Sequence, residues 1–223
     1  MMILPFFVFI FSCLTAYLIG SIPTGFLMTK IFVGADIRSA GSKNVGATNV
    51  YRVAGKLPGL LTLIIDIVKG IIVVTLAADF FYTYLPDVDY IFYKTFLGLI
   101  AILGHIYSVF LKFKGGKGVA TTIGVTAAIA PLVLLVSLAV WLIVFIPTNY
   151  VSLGSLAFGM ALPISALVFD QPFYVVIFCV ILCLINTYKH KDNIKRLLKR
   201  EENKTIIFSR KIKSMVIVQS YKK

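Results

Sequence analysis

Charge is scarce in this chain, and acidic residues are scarcer still. Only 14% of the 223 residues are charged against 59% hydrophobic, and 9 Asp and Glu face 22 Lys and Arg, a formal net charge of +13. A soluble domain of this size cannot cover so much apolar surface with so little charge, so the composition points to a bilayer. A basic balance first suggests nucleic acid. Here, however, the cations sit between membrane-length apolar runs. Anionic headgroups, the positive-inside bias and anionic substrates explain that placement better, and no nucleic-acid partner is expected. Cysteine is also scarce. Cys13, Cys179 and Cys183 all fall inside apolar runs, and an odd number there argues against a disulfide framework. Cys179 and Cys183 share a helical face but have no His or carboxylate beside them, so they read as small apolar fillers. No His-Glu-x-x-His and no carboxylate cluster with ligand spacing occurs, so neither a metal nor a cofactor is expected. The N-terminal stretch "MMILPFFVFIFSCLTAYLIG" lacks a basic leader and a small-residue cleavage site, and reads as a retained first span.

A spanning helix needs about 20 apolar residues. Candidates are Ile3–Met28, Leu57–Phe81, Tyr90–Phe110, a long block Val119–Ile146, Val151–Phe169 and Pro172–Thr187. The long block contains Pro131 and is either one kinked helix or two short ones. Charge parity decides. The links 29–56 and 111–118 and the segment from Lys189 onward are basic, whereas 82–89 carries Asp87 and Asp89 and no cation. Lys and Arg favour the cytoplasmic side, so an even number of crossings must separate Lys117 from Lys189. Splitting the block near Pro131 satisfies this, although the first half would be only about 18 Å long against a core of ~30 Å. The expectation is an all-α integral membrane protein with seven transmembrane helices, six being the alternative. Its N-terminus would lie outside and its C-terminus in the cytoplasm. Residues 1–204 would form the membrane domain and 205–223 a basic tail.

Three inner segments hold the unusual residues. "LKFKGGKGVATT" (111–122) places Lys117 among Gly115, Gly116 and Gly118, just before a helix. Glycines free the backbone to turn its N–H groups towards an anion, and a helix N-terminus and a lysine add positive charge. It is not a Walker loop, because Gly118 stands where Ser or Thr is needed. In "GADIRSAGSKNVGATNVYRVAGK" (34–56), Ser42 is a predicted N-cap. Asn44, Thr48 and Arg52 would then share one face, with Arg52 offering a fork suited to phosphate. In "YKHKDNIKRLLKREENK" (188–204), His190 and Asn193 are i, i+3 neighbours. Ile194, Leu197 and Leu198 would pack this helix on the bundle, and Glu202 would pair with a cation. Within the spans, Asp66 and Lys69 read as a structural pair, and His105 as a core histidine within reach of the glycine loop. A transporter would gather its polar groups near mid-membrane, whereas here they gather at one face.

Together these stretches resemble the bacterial membrane-integral glycerol-3-phosphate acyltransferases that use acyl-phosphate as donor. "GSIPTGFLMTK…DIRSAGSKNVGATNVYRVAGK" is similar to that family's first motif, "LGHIYSVFLKFKGGKGVAT" to its second and "KHKDNIKRLLKREENK" to its third, with "DIVKG" at 66–70 a further match. The resemblance implies a multi-pass protein of the bacterial inner (cell) membrane, acting as a monomer with its active site on the cytoplasmic side. It would move a fatty acyl group from acyl-phosphate to the 1-hydroxyl of glycerol-3-phosphate, giving lysophosphatidic acid and phosphate for phospholipid biosynthesis. Ser42, Lys117, His190 and Asn193 would be catalytic. Arg52, Asn44, Thr48, Gly115, Gly116 and Gly118 would bind substrate. Two positions depart from the family's pattern: it commonly has Gly where Lys43 and Arg200 stand. The H-x4-D pattern of acyltransferases that use CoA or a carrier protein is absent.

Overall fold

The computed structural model describes residues 3–85 and 87–205, and among these every regular element is a helix. They are α1 (Ile3–Ser21), α2 (Thr24–Val33), α3 (Ala47–Ala54), α4 (Lys56–Ile72), α5 (Ala78–Tyr82), α6 (Tyr90–Ile106), α7 (Val119–Ile129), α8 (Pro131–Thr148), α9 (Val151–Val168), α10 (Phe173–Lys189) and α11 (Lys191–Leu198). A π-turn, Val73–Ala77, joins α4 to α5. Among the described residues, five helical stretches are long and apolar enough to cross a bilayer: Ile3–Val33, Lys56–Tyr82, Tyr90–Leu111, Pro131–Thr148 and Val151–Val168. A sixth is counted if α10 and α11, bent by 59°, are taken together. Of the tail assigned to 205–223, residues 206–223 lie outside the described residues.

The block 119–146 is two helices. The chain breaks at Ala130 (φ −144°, ψ 72°), and Pro131 takes the first position of α8, where its missing N–H costs nothing. The first apolar run differs from expectation. It breaks at Ile22–Pro23 and resumes as α2 as far as Val33, because Pro23 cannot donate back to the preceding turn. The bundle is held by close helix pairs: α1 on α6, α4 on α7, α8 on α9 and α9 on α10. Glycine sets the spacing of the first two. A Cβ on Gly20 would overlap the Ala101 carbonyl, and one on Gly124 the Ile67 carbonyl. Small residues of this kind let backbones approach where lipid gives little hydrophobic drive for helix association. The centre is Val74, Tyr93, Leu97, Ile102, Val125, Phe158 and Leu162, while Phe6, Phe7, Leu135, Ile143, Phe173 and Leu184 point outward.

Lys43 and Arg200, where the resemblance implies glycine, share one backbone conformation: both have φ 60°. A residue with a Cβ is strained there by roughly 1–2 kcal/mol, and glycine gives back about 0.5–1 of that through unfolded-chain entropy. Lys43→Gly and Arg200→Gly should each raise stability by about 0.5–1 kcal/mol. Thermal unfolding in detergent reads the effect, and a lowered midpoint contradicts it.

Candidate active site

Segment 34–46 is organised by Asn49, the first buried residue of α3. Its Nδ2 donates to the carbonyls of Ala40 (3.1 Å) and Asn44 (2.8 Å), and its Oδ1 accepts from the Ser42 amide (2.8 Å). The carboxamide thus replaces the secondary structure that this stretch lacks. Gly41 (φ 56°) is required beside it, since a Cβ would overlap Asn49 Oδ1. Beneath lie Ile37, Val45, Val50 and Leu111. The expected N-cap is therefore corrected. Helix α3 starts at Ala47 with Gly46 as its cap, and Ser42 lies in the preceding turn, exposed. Asn44 also precedes the helix, and its Oδ1 accepts from the Gly46 amide (2.9 Å). Only Thr48 and Arg52 of the proposed face are helical. Asn49→Ala should loosen the turn that presents Ser42 and cost about tenfold in activity, with faster hydrogen exchange over 40–46. Unchanged exchange there would contradict this role.

The glycine turn lies flush against the end of α6. The Gly115 amide donates to the Ile106 carbonyl (3.0 Å) and the Gly116 amide to the His105 carbonyl (3.1 Å). A Cβ on Gly115 would overlap the His105 carbonyl, and one on Gly116 the His105 ring at Nε2. The expectation that these amides cradle an anion is corrected, because both are engaged by carbonyls. Gly115 and Gly116 give closeness rather than donors. Gly118 (φ 87°) caps α7, whose first-turn amides have no intrahelical partner and whose N-terminal end is positive. Lys117 is thereby placed at the start of that helix.

The third segment closes over Lys117. Its ammonium donates to Asn193 Oδ1. Asn193 Nδ2 donates to Glu202 Oε1 (2.9 Å), and Glu202 Oε2 accepts from Arg196 Nε (2.7 Å). Glu202 pairs with a cation as expected. Its contact with Asn193, on a segment folding back after α11, was not foreseen. Arg52 Nη2 donates to Thr205 Oγ1 (2.8 Å) and to the Asn203 carbonyl (3.1 Å), while its buried Nε has no partner among the described residues. The Thr205 amide donates in turn to the Asn149 carbonyl (2.8 Å). Leu198, expected to pack, is 81% exposed; Ile194 and Leu197 are half-buried. Arg52, Lys117, Asn193 and Arg196 thus meet around Glu202. Ser42 and Asn44 make their polar contacts within their own segment.

His190 sits at the junction of α10 and α11, 3% exposed. Its Nδ1 lies 2.8 Å from the Asn186 carbonyl, which can only accept, so Nδ1 carries the proton and Nε2 a lone pair. Burial, and then the nearby Lys117 ammonium, push its pKa down to about 3, so the ring is neutral. Burial likewise lowers Lys117 to about 8; Glu202 opposes the shift, and Arg196 and Arg52 add to it. Burial also lowers Arg52, which stays charged. Beside Lys117 an apolar cleft opens between α6, α7, α9 and α10. Ile102, Phe158, Leu162, Leu182 and Ile185 line it, with Thr122 and Asn186. Asn186 Nδ2 donates to the Ser155 carbonyl (2.7 Å). Among the described residues no group of His, Cys, Asp and Glu is arranged to hold a metal. A cationic, partly dry pocket next to an apolar cleft suits a ligand with an anionic head and a greasy tail.

Comparison with known proteins agrees. A family model described as "Glycerol-3-phosphate acyltransferase" matches residues 10–200. Relatives named glycerol-3-phosphate acyltransferase include one from Geotalea daltonii, 45% identical over 188 residues (84% of this chain and 93% of that one). Another, from Pelagibacter ubique, is 42% identical over 200 residues (90% and 99%). The crystal structure of PlsY (YgiH), an integral membrane glycerol 3-phosphate acyltransferase in its glycerol 3-phosphate form, superposes with a TM-score of 0.81. It is 40% identical and covers 89% of this chain and 96% of that one. This multi-pass membrane chain therefore belongs to the glycerol-3-phosphate acyltransferase family.

Proposed function

We propose that the protein transfers a fatty acyl group from acyl-phosphate to the 1-hydroxyl of glycerol-3-phosphate, giving lysophosphatidic acid and phosphate. The observation that carries this reading is the Lys117–Asn193–Glu202–Arg196 chain beside Arg52: cations from three separate segments converge next to an apolar cleft. Both substrates carry phosphate, and such a pocket brings two repelling anions together. Acyl-phosphate is a mixed anhydride with a good leaving group, so transfer is direct, with no acyl-enzyme. Lys117 and the first-turn amides of α7, with Gly118 and Ser42, hold the donor's phosphate and offset the charge it gains on leaving. Arg52, with Thr48 and Asn44 nearby in sequence, holds glycerol-3-phosphate. Asn193 fixes Lys117.

His190 Nε2 accepts a hydrogen bond from the 1-hydroxyl and aims it at the carbonyl carbon. A ring whose pKa is about 3 is a poor final proton acceptor. The proton therefore ends on the departing phosphate. The C–O bond to glycerol forms as the C–O bond to phosphate breaks. No cofactor takes part. In the same reading the chain has seven crossings, the N-terminus outside and the site facing the cytoplasm of a bacterial inner membrane. The concentration of cations in 29–56, 111–118 and the segment after Lys189 supports that orientation. The protein acts as a monomer.

The reading is tested with purified protein, glycerol-3-phosphate, and palmitoyl-phosphate or palmitoyl-CoA as donor. Lysophosphatidic acid should form from the first only; formation from CoA alone overturns the donor assignment. The pH profile is a second check. Lys117 acts as the ammonium, so kcat/KM should fall about tenfold per pH unit above about 8. His190 is neutral well below neutrality, so it gives no acid limb between pH 4 and 8. A limb near pH 6 belongs to the substrates' own phosphates, whose second pKa is about 6. A profile flat to pH 10 contradicts the role given to Lys117.

A further inference from the structure

Behind the glycine turn lies a buried charged cluster that this chemistry does not use. Asp66 and Lys69 on α4 and His105 on α6 are 2%, 3% and 8% exposed. The Lys69 ammonium stands 2.7 Å from Asp66 Oδ1, 2.9 Å from His105 Nδ1 and 3.2 Å from the Ile22 carbonyl. Charge at such depth is costly and persists only when paired and facing protein. Asp66 and Lys69 could meet that need alone. The contact with His105 goes further.

An ammonium has donors only, so His105 Nδ1 accepts, and the ring carries its proton on Nε2. Asp66, at 3.6 Å from Nδ1, is too far to compete as a hydrogen-bond partner. The Nε2 edge is the one that meets the turn, where a Cβ on Gly116 would overlap it. The same histidine's carbonyl receives the Gly116 amide, and the next residue is Lys117. The cluster also reaches the break between α1 and α2. Lys69 takes the Ile22 carbonyl there, and Ser108 Oγ donates to the Ser21 carbonyl at 2.5 Å. The broken first span and the end of α6 are thus fixed to one another directly behind the turn.

We infer that Asp66, Lys69 and His105 form a mount for the glycine turn, a positioning device that fixes Lys117 against Asn193. Lys69 sets the tautomer and angle of the His105 ring, the ring and its carbonyl seat Gly116, and Gly116 places Lys117. None of the three touches substrate. The inference rests on the acyl-transfer reading for its kinetic consequence but not for its structural one.

The test uses the full chain in lipid nanodiscs with two readouts. The first is kcat with palmitoyl-phosphate. The second is the pH dependence of Lys117 labelling by an amine-reactive reagent, read by mass spectrometry. The Asp66→Asn/Lys69→Met variant removes both charges together, so no unpaired ion is left inside. It should lower kcat about tenfold or more. The Lys117 labelling midpoint should also rise from about 8 by roughly one unit as the turn loosens and the ammonium gains water. If that variant does not fold, His105→Phe decides by the same two readouts. Folded variants with kcat within about twofold and an unchanged labelling profile overturn the mount. If wild type makes no product from palmitoyl-phosphate, the reaction assignment fails, and the labelling profile alone decides the mount.

Discussion

Lys117→Ala should lower kcat/KM by about 10³-fold, with the fold intact. The ammonium reaches from the glycine turn to the third segment, through Asn193. As acyl-phosphate cleaves, negative charge gathers on the departing phosphate, and a preorganised cation there acts most strongly in the transition state. The loss should therefore appear mainly in kcat. Lys117→Arg should recover less than about a tenth of the activity. A planar fork does not match a point charge held by one amide oxygen, and the turn has no slack for a longer side chain. Steady-state kinetics with palmitoyl-phosphate, alongside thermal unfolding as a control, measures this. A Lys117→Ala protein within tenfold of wild type would remove the residue from the chemistry.

Arg52→Ala carries the second largest effect. It should raise KM for glycerol-3-phosphate about 100-fold while KM for the donor stays within a few-fold. Arg52 Nη2 is occupied by Asn203 and Thr205, but Nε is buried and has no partner among the described residues. A buried donor without a partner costs roughly 1–3 kcal/mol, and a phosphate oxygen would satisfy it. Charge-assisted bonds contribute about 1.5–3 kcal/mol each, which sets the size of the expected change. Arg52→Lys should restore part of the binding, because charge returns without the fork. An equal rise in KM for both substrates would instead mean that Arg52 shapes the whole pocket.

Much of this was legible in the sequence where the signal is local. Apolar runs located the helices, Pro131 located the break between α7 and α8, and Lys-Gly spacing located the turn. Asp66 and Lys69, three residues apart, read correctly as a pair. Errors arose where a side chain replaces secondary structure. Ser42 carries the residue type of an N-cap, but Asn49 holds its amide in a turn instead, and nothing distinguishes Asn49 from other polar residues nearby. The amides of Gly115 and Gly116 looked free because turns give no periodic pattern that reveals carbonyl partners on the preceding helix. The Lys117–Asn193 contact spans 76 positions and the Arg52–Thr205 contact 153, separations that no spacing rule reaches. Lys43 and Arg200 were noted only as departures from a pattern; their shared φ of 60° gives the physical reason that glycine suits both sites.

The most direct measurement is an experimental structure of this chain with glycerol-3-phosphate bound. The phosphate should contact the Arg52 guanidinium, including Nε, on the side of the pocket shared with Lys117. The 1-hydroxyl should lie within hydrogen-bond distance of His190 Nε2. A phosphate bound away from Arg52, or a hydroxyl turned from His190 and Lys117, would contradict the account.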